Sequence, residues 1–265
     1  MYWFDGQWFD KEEITLSITE PGLLYGATIF TTLRVYQQSL EHPLTHWQAH
    51  RDRLQKSVEQ LQWPNPNWQT ITEVAQTLVN DYSVLRIVIF ADGKIWITGR
   101  NLPENLSQLQ QQGIQGWLAD QTIFQRPMAA IKTGNYLTAW LALQEAQKQE
   151  AKEAILINDQ GHWLETSTGN LWGWKEGVFY TPPEDGSILP GIMRSSLLKY
   201  LSSQGIKVQQ QPWPSDWSQN LELLAYSNSV VEIIPFHRVK IQEKILTLPV
   251  DHPALAVLKR YFNVK

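Results

Sequence analysis

Three short clusters carry side chains that could do covalent chemistry. The first is Ile131-Lys132-Thr133-Gly134-Asn135-Tyr136-Leu137, which follows the apolar stretch Met128-Ala129-Ala130. The second is Glu165-Thr166-Ser167-Thr168-Gly169-Asn170, and the third is Leu189-Pro190-Gly191-Ile192-Met193-Arg194. A lysine reached through apolar chain can shed its proton, because burial disfavours the ammonium form, and the free amine can then form a Schiff base. A carboxylate can keep a pyridine-type ring nitrogen protonated, and the bare amides of a helix start suit a phosphate. Amine, carboxylate and helix start, in that order, are the parts needed to hold pyridoxal phosphate.

Taken singly, each piece has a plainer reading. Lys132 could be a surface lysine at the start of a helix. Glu165 could be a capping or turn carboxylate beside Thr166 and Ser167, with Asn170 satisfying the same turn. Pro190-Gly191 is ordinary helix punctuation. Arg53, in His50-Arg51-Asp52-Arg53-Leu54, offers a bidentate phosphate contact or is a solvated helix arginine. Ser229 adds a hydroxyl or is a strand serine with no role. The company these residues keep is what favours the chemical reading.

The elements that must position them follow from pattern. Tyr2 to Phe4 and Gln7 to Phe9 flank Asp5-Gly6, and Val84 to Phe90 and Lys94 to Thr98 flank Asp92-Gly93, two hairpin signatures. Residues 27–36 (ATIFTTLRVY) are β-branched and aromatic and predict a strand. Helices are predicted over 44–61, with Thr45 as N-cap, and over 68–80. The Gln-rich stretch 108–113 reads as a linker or strand rim and marks the boundary between a domain over 1–113 and a larger one over 114–265. In the second half, 136–149 has helical spacing. Four short strands cover 154–157, 162–165, 171–174 and 178–181. A helix runs over 191–203 and ends at Gly205. A strand region covers 223–234 and includes Ser229, and a last helix covers 253–262. Hairpins mixed with helices, without regular βαβ alternation or internal repeats, argue for an α+β class in both halves.

Composition narrows the field. The chain has 265 residues, 43% hydrophobic and 18% charged, an ordinary globular balance. A net charge of -4 argues against a general nucleic-acid binder, and the absence of cysteine excludes disulfides and thiolate chemistry. The N-terminus lacks a signal-peptide pattern and no apolar run is long enough to span a bilayer, so a cytoplasmic protein is expected, with no membrane or nucleic-acid partner and no metal. The thirteen Trp residues are expected to fill cores and interfaces.

The order of these motifs resembles the fold-type IV pyridoxal-phosphate enzymes, the class IV aminotransferase family. That family includes branched-chain aminotransferases, D-amino acid aminotransferases and aminodeoxychorismate lyases. The likeness runs from Tyr25-Gly26-Ala27-Thr28-Ile29-Phe30, through His50 to Leu54, Lys132, Glu165 to Asn170 and Gly191 to Arg194, to Ser227 to Pro235. The resemblance implies two α+β domains, each with a sheet or barrel packed by helices, a cofactor at their interface, and a homodimer. It makes Lys132 the Schiff-base lysine and Glu165 the partner of the ring nitrogen, with Asn170 beside it. It assigns the phosphate to Arg53, the amides of Ile192 and Met193, and Ser229. Tyr136 is similar to a tyrosine that touches the cofactor's phenolic oxygen, at a spacing from Lys132 one residue shorter than in the aminotransferases. Tyr25, Phe30 and Asn228 match the substrate pocket.

Two reactions compete within the resemblance. Phe30-Thr31-Thr32 followed by Arg34-Val35 resembles the lyase subgroup, which converts 4-amino-4-deoxychorismate to 4-aminobenzoate and pyruvate for folate synthesis. Asn135-Tyr136-Leu137 and Val231-Glu232-Ile233-Ile234-Pro235 are more similar to aminotransferases. The lyase is the expected activity and a branched-chain-type transaminase the alternative. A cofactor-free relative is a third reading, opposed by the presence of both Lys132 and Glu165. Arg34, Arg86 and Arg126 are the candidates for pairing with a substrate carboxylate.

Overall fold

The computed structural model describes residues 1–263. The chain forms two compact units, one of Met1–Pro103 with Ile131–Tyr136, the other of Glu104–Ala130 with Leu137 onward. The boundary expected at residue 113 therefore falls inside the second unit, and Lys132 belongs to the first unit rather than to the second.

The first unit is built on strands β1 (Tyr2–Phe4), β2 (Gln7–Phe9), β3 (Thr28–Arg34), β4 (Val84–Phe90) and β5 (Ile95–Arg100), in the order β2-β1-β5-β4-β3. Both expected hairpins form. Asp5, Gly6 and Gly93 take the positive φ that such tight reversals need. A short helix α1 (Pro21–Leu24) precedes β3. Helices α2 (Trp47–Gln60) and α3 (Trp68–Leu78) lie between β3 and β4 in sequence. Their apolar rows, Trp47, Leu54 and Val58 on one and Ile71, Val74, Ala75 and Leu78 on the other, join Ile29, Leu33, Ile87 and Ile89 of the sheet in one core. Asn67 caps α3 by accepting from the Gln69 and Thr70 amides. Thr45 does not cap α2. It sits in a 3-10 turn, accepts from the Tyr36 amide and donates to the Ser39 carbonyl, and His46 in the left-handed region starts the helix.

The second unit contains a closed barrel. Strands β6 (Ile114–Ala119), β7 (Glu153–Ile157), β8 (Trp163–Thr166), β9 (Asn170–Lys175), β12 (Leu223–Asn228) and β13 (Glu232–Ile241) pair in a ring, closed where Glu165 of β8 faces Asn170 of β9. β10 (Val178–Thr181), β11 (Val208–Gln210) and β14 (Lys244–Thr247) extend it. Helix α5 (Leu137–Lys148) packs Ala142 and Ala146 against Trp117, Ala154 and Leu156. Helices α6 (Ile192–Ser203) and α7 (Pro253–Lys259) cover Trp172, Leu223, Ala225 and Ile233. Trp163, Trp172 and Trp213 are fully buried, the core role expected for tryptophan.

Two sequence expectations change here. The Gln-rich stretch is helix α4 (Leu106–Gln112), not a linker or strand rim. Gln110 anchors it by donating to the Val231 carbonyl and to Glu232. The expected strand over 223–234 is a hairpin, and Ser229 lies in its turn, not on a strand. The Asn228 side chain accepts from the Val230 and Val231 amides and so reverses the chain. No helix among the described residues is long and apolar enough to cross a membrane.

Candidate active site

Lys132 is positioned by the edge of the first unit's sheet. Its segment adds to β3. Phe30 donates its amide to the Lys132 carbonyl at 2.9 Å, the Gly134 amide donates to Thr28, and Ile29 and Thr133 form a bridge. A Cβ at Gly134 would run into the Thr28 hydroxyl, so this close pairing requires glycine. Of the apolar approach, Ala129 and Ile131 are buried, and Met128 is exposed. Lys132 itself is half-buried.

Tyr136 and Phe30 stand beside the amine. Lys132 Nζ donates to the Tyr136 hydroxyl at 3.0 Å and lies 4.5 Å from the centre of the Phe30 ring. The two rings meet edge to face at 5.3 Å. Arg86 of β4 rests on the same Phe30 ring, 3.8 Å from its centre. Although Arg86 as a residue is exposed, its head packs on the ring, and desolvation lowers its pKa while Tyr136 opposes the shift.

Arg53 projects from α2 toward the same neighbourhood. Burial pulls its pKa down to about 10, again with Tyr136 opposing, so it stays charged at neutral pH. Its Nη2 donates to Thr31, its Nε is buried without a hydrogen-bond partner, and it has no carboxylate partner among the described residues. Such a guanidinium is suited to a phosphate. Lys132, Tyr136, Phe30, Arg86 and Arg53 are thus one cluster. Tyr25 ends α1 and is 75% exposed.

The second unit gathers the other expected residues around the barrel's closing turn. Glu165 is 3% exposed. Its Oε1 pairs with Arg126 and its Oε2 accepts from the Leu189 amide at 3.0 Å. Asn170 is buried and donates to the Leu189 carbonyl at 2.9 Å. Glu165 and Asn170, paired across the closure, therefore clasp both peptide groups of the residue that precedes Pro190-Gly191. That clasp fixes the start of α6. A Cβ on Gly191 would collide with Oδ1 of Asn170. The Ile192 and Met193 amides open this helix and have no intrahelical acceptor, as at any helix start. Arg194 is buried and bonded to Thr181, Pro182, Glu184 and Gln210, a structural role.

The turn itself is held from below. Ser167 and Thr168 donate their hydroxyls to the buried Glu153. Asn228 donates to the Thr168 carbonyl at 3.2 Å, which ties the hairpin turn carrying Ser229 to the same place. The Asn228 side chain is therefore committed to two turns. The Ser229 hydroxyl makes no hydrogen bond among the described residues.

Sequence reasoning missed two members. Arg126 was a candidate for a substrate carboxylate, and the structure gives it to Glu165 instead. Glu153 was not singled out, although a carboxylate opening an otherwise apolar strand is a signal of its own.

A family model for amino-transferase class IV matches residues 28–239. Aminodeoxychorismate lyase of Vibrio harveyi is 25% identical over 94% of this chain and 95% of its own length. The branched-chain-amino-acid aminotransferase of Escherichia coli is 26% identical over 89% of this chain and 84% of its own. A solved structure of an E. coli branched-chain aminotransferase shares the fold with a TM-score of 0.83, at 23% identity over 99% of this chain and 93% of that one. A PLP-bound hypothetical aminotransferase from Mycobacterium tuberculosis also reaches 0.83, at 19% identity over 98% and 96%.

Proposed function

Since the chain belongs to the amino-transferase class IV family, whose members are pyridoxal-phosphate enzymes, we propose that it is an aminodeoxychorismate lyase, cleaving 4-amino-4-deoxychorismate to 4-aminobenzoate and pyruvate for folate synthesis. The observation that carries the lyase reading is the Phe30-Thr31-Thr32 run. Phe30 provides a ring flanked by the amine of Lys132 and the guanidinium of Arg86, and Thr31 holds Arg53.

The residues present fit the cofactor. Arg53 has a buried Nε without a hydrogen-bond partner and no carboxylate partner among the described residues, which matches a phosphate dianion. Glu165 is buried and paired with Arg126, and a carboxylate held in this way can face a ring nitrogen and hold a proton there. In this reading Lys132 and Glu165 serve one cofactor. Arg53, the Ile192 and Met193 amides and Ser229 hold its phosphate, and Asn170 fixes the helix start that offers those amides. Once bound, the cofactor supplies an electron sink for charge developing at the substrate α-carbon.

This chain's own groups do the rest. Lys132 Nζ removes the α-proton and later returns a proton to the departing side chain. The Tyr136 hydroxyl, 3.0 Å away, accepts a hydrogen bond from Nζ and orients it. Of the three candidate arginines, Arg126 is engaged with Glu165, and Arg34 stacks on Tyr36 at 4.6 Å. Arg86, beside Phe30 and Tyr136, is the one assigned to the substrate carboxylate. Tyr25 retains the pocket role as part of this proposal, and Asn228 shapes the pocket only through the two turns its side chain holds; a homodimeric assembly in the cytoplasm belongs to the same proposal.

The second reading is a branched-chain-type transaminase, favoured by the likeness to the E. coli enzyme and by Asn135-Tyr136-Leu137. An assay for 4-aminobenzoate, run beside transamination of 2-oxoglutarate with leucine, separates the two. Formation of 4-aminobenzoate supports the lyase. Keto-acid-dependent loss of leucine without 4-aminobenzoate rejects it.

A further inference from the structure

The surroundings of Arg53 carry one more inference, which rests on the reading of Arg53 as the phosphate ligand. A buried guanidinium is usually fixed by a carboxylate. Arg53 is fixed by a hydroxyl. Its Nη2 donates to Thr31 Oγ1 at 2.5 Å, and the same oxygen lies 2.5 Å from Nδ1 of His50. Thr31 and His50 are both completely buried. His50 and Arg53 are three residues apart on α2 and so share the face over β3.

The hydrogens can be counted. A threonine hydroxyl has one hydrogen to give and two lone pairs. Suppose Nδ1 of His50 donated to Thr31 as Arg53 does. The hydroxyl hydrogen of Thr31 would then have no acceptor, and Nε2 of His50, buried without a partner, would be a second orphan. If Thr31 instead donates to Nδ1, only the Nε2–H is unpaired. Burial penalises each unmade bond, so the second arrangement prevails. It needs a neutral imidazole. Burial, and then the positive charges of Arg53, His46 and Lys132, push the His50 pKa well below its ordinary value.

We propose that Thr31 is the positioning residue for Arg53: its hydroxyl accepts from Nη2, passes its own hydrogen to Nδ1 of His50, and so holds the guanidinium in place without neutralising it. A carboxylate at the same point would hold the arginine as firmly but cancel its charge. The hydroxyl leaves the full charge for a phosphate dianion.

The test is a titration of apoprotein with pyridoxal phosphate and with pyridoxal, which lacks the phosphate, read by tryptophan quenching and absorbance. Thr31→Val is expected to weaken pyridoxal phosphate about tenfold, near 1.4 kcal/mol, and to leave pyridoxal unchanged. Thr31→Ser restores the affinity. Arg53→Ala weakens pyridoxal phosphate at least as much, and Thr31→Val adds nothing in that background. If Arg53→Ala has no effect, the phosphate reading itself falls. If Arg53→Ala weakens binding and Thr31→Val does not, or if Thr31→Val weakens both ligands alike, the positioning role alone is overturned. A long-range nitrogen-15 spectrum of the unmodified protein needs no variant. His50 must appear as the neutral Nε2–H tautomer from about pH 6 to 8. The Nδ1–H tautomer or an imidazolium there overturns the proposal.

Discussion

Glu153 gives the most quantitative prediction. It opens β7, is 2% exposed, and accepts the hydroxyls of Ser167 and Thr168. Burial lifts its pKa from 4.5 to about 7 against the pull of those two hydrogen bonds. The titratable group facing it is Tyr226 of β12, whose own pKa is raised by burial first and by Glu153 second. The sign follows from proton counting. Between pH 4.5 and about 7 the folded chain keeps a proton that the unfolded chain has released. Stability from this group is therefore fully present below that window, falls as pH rises through it, and is lost above it. The gap corresponds to about 3 kcal/mol. Glutamine has the shape of the protonated acid, and the two hydroxyls can rotate to suit its amide. Urea unfolding of Glu153→Gln and the parent chain, followed by tryptophan fluorescence, should coincide near pH 4 and below, where the glutamate is protonated in the folded and the unfolded chain alike. Near pH 8 the variant should be the more stable by about 3 kcal/mol. Other titrations are common to both proteins and cancel in the comparison. Parallel stability profiles from pH 5 to 8 would refute the buried protonated carboxyl.

Three further outcomes follow from the same geometry. Lys132→Ala should abolish both activity and the near-ultraviolet band that borohydride reduces in the parent protein; a band surviving the substitution would remove Lys132 from the attachment point. Gly191→Ala drives a methyl into Asn170 Oδ1 and should cost about 1–3 kcal/mol in unfolding experiments, with a matching loss of cofactor affinity. Unchanged melting and cofactor binding would mean that the clasp at Leu189 is slack. Arg86→Leu should raise KM for the carboxylate substrate by about tenfold or more, in line with the loss of a charge-assisted hydrogen bond, while kcat changes less. An equal fall in kcat at unchanged KM would move Arg86 from substrate binding to the chemical step.

Local chemistry made much of this chain legible. β3 is visible in ATIFTTLRVY because β-branched and aromatic side chains fit a pleated surface on both faces. The hairpins at Asp5-Gly6 and Asp92-Gly93 are visible because few residues tolerate that reversal. Lys132, Glu165 and Gly191 stand out for a similar reason, since the proposed chemistry tolerates few substitutes for an amine, a carboxylate and a helix-opening glycine. What stayed hidden depends on distant parts of the chain. Helix α4 has only Leu106 and Leu109 as apolar residues, and Gln110 is anchored by Val231 and Glu232, more than a hundred residues away. Val230 and Val231 read as a continuing strand, yet the two hydrogen bonds their amides donate to one asparagine turn the chain there.

The same division runs through the site and explains why its supports are harder to read than its reagents. A Schiff-base lysine or a ring-nitrogen acid is constrained by the reaction, so its type persists wherever the fold puts it. A support is constrained only by what it touches. Glu165 needs some cation at Oε1, and nothing in the spacing from 126 to 165 says that Arg126 provides it. Arg53 needs some acceptor at Nη2, and a threonine on β3 serves because α2 lays His50 over it as well. Such roles become readable where a residue violates its local pattern. Glu153 does so as a charge at the head of Ala154-Ile155-Leu156-Ile157, and Thr31 does so as a hydroxyl between Ile29 and Leu33 on the buried face of β3. Each violation costs stability unless a partner repays it. A polar residue on a core-facing position is therefore the place in a sequence like this one to search for the residues that aim the reagents.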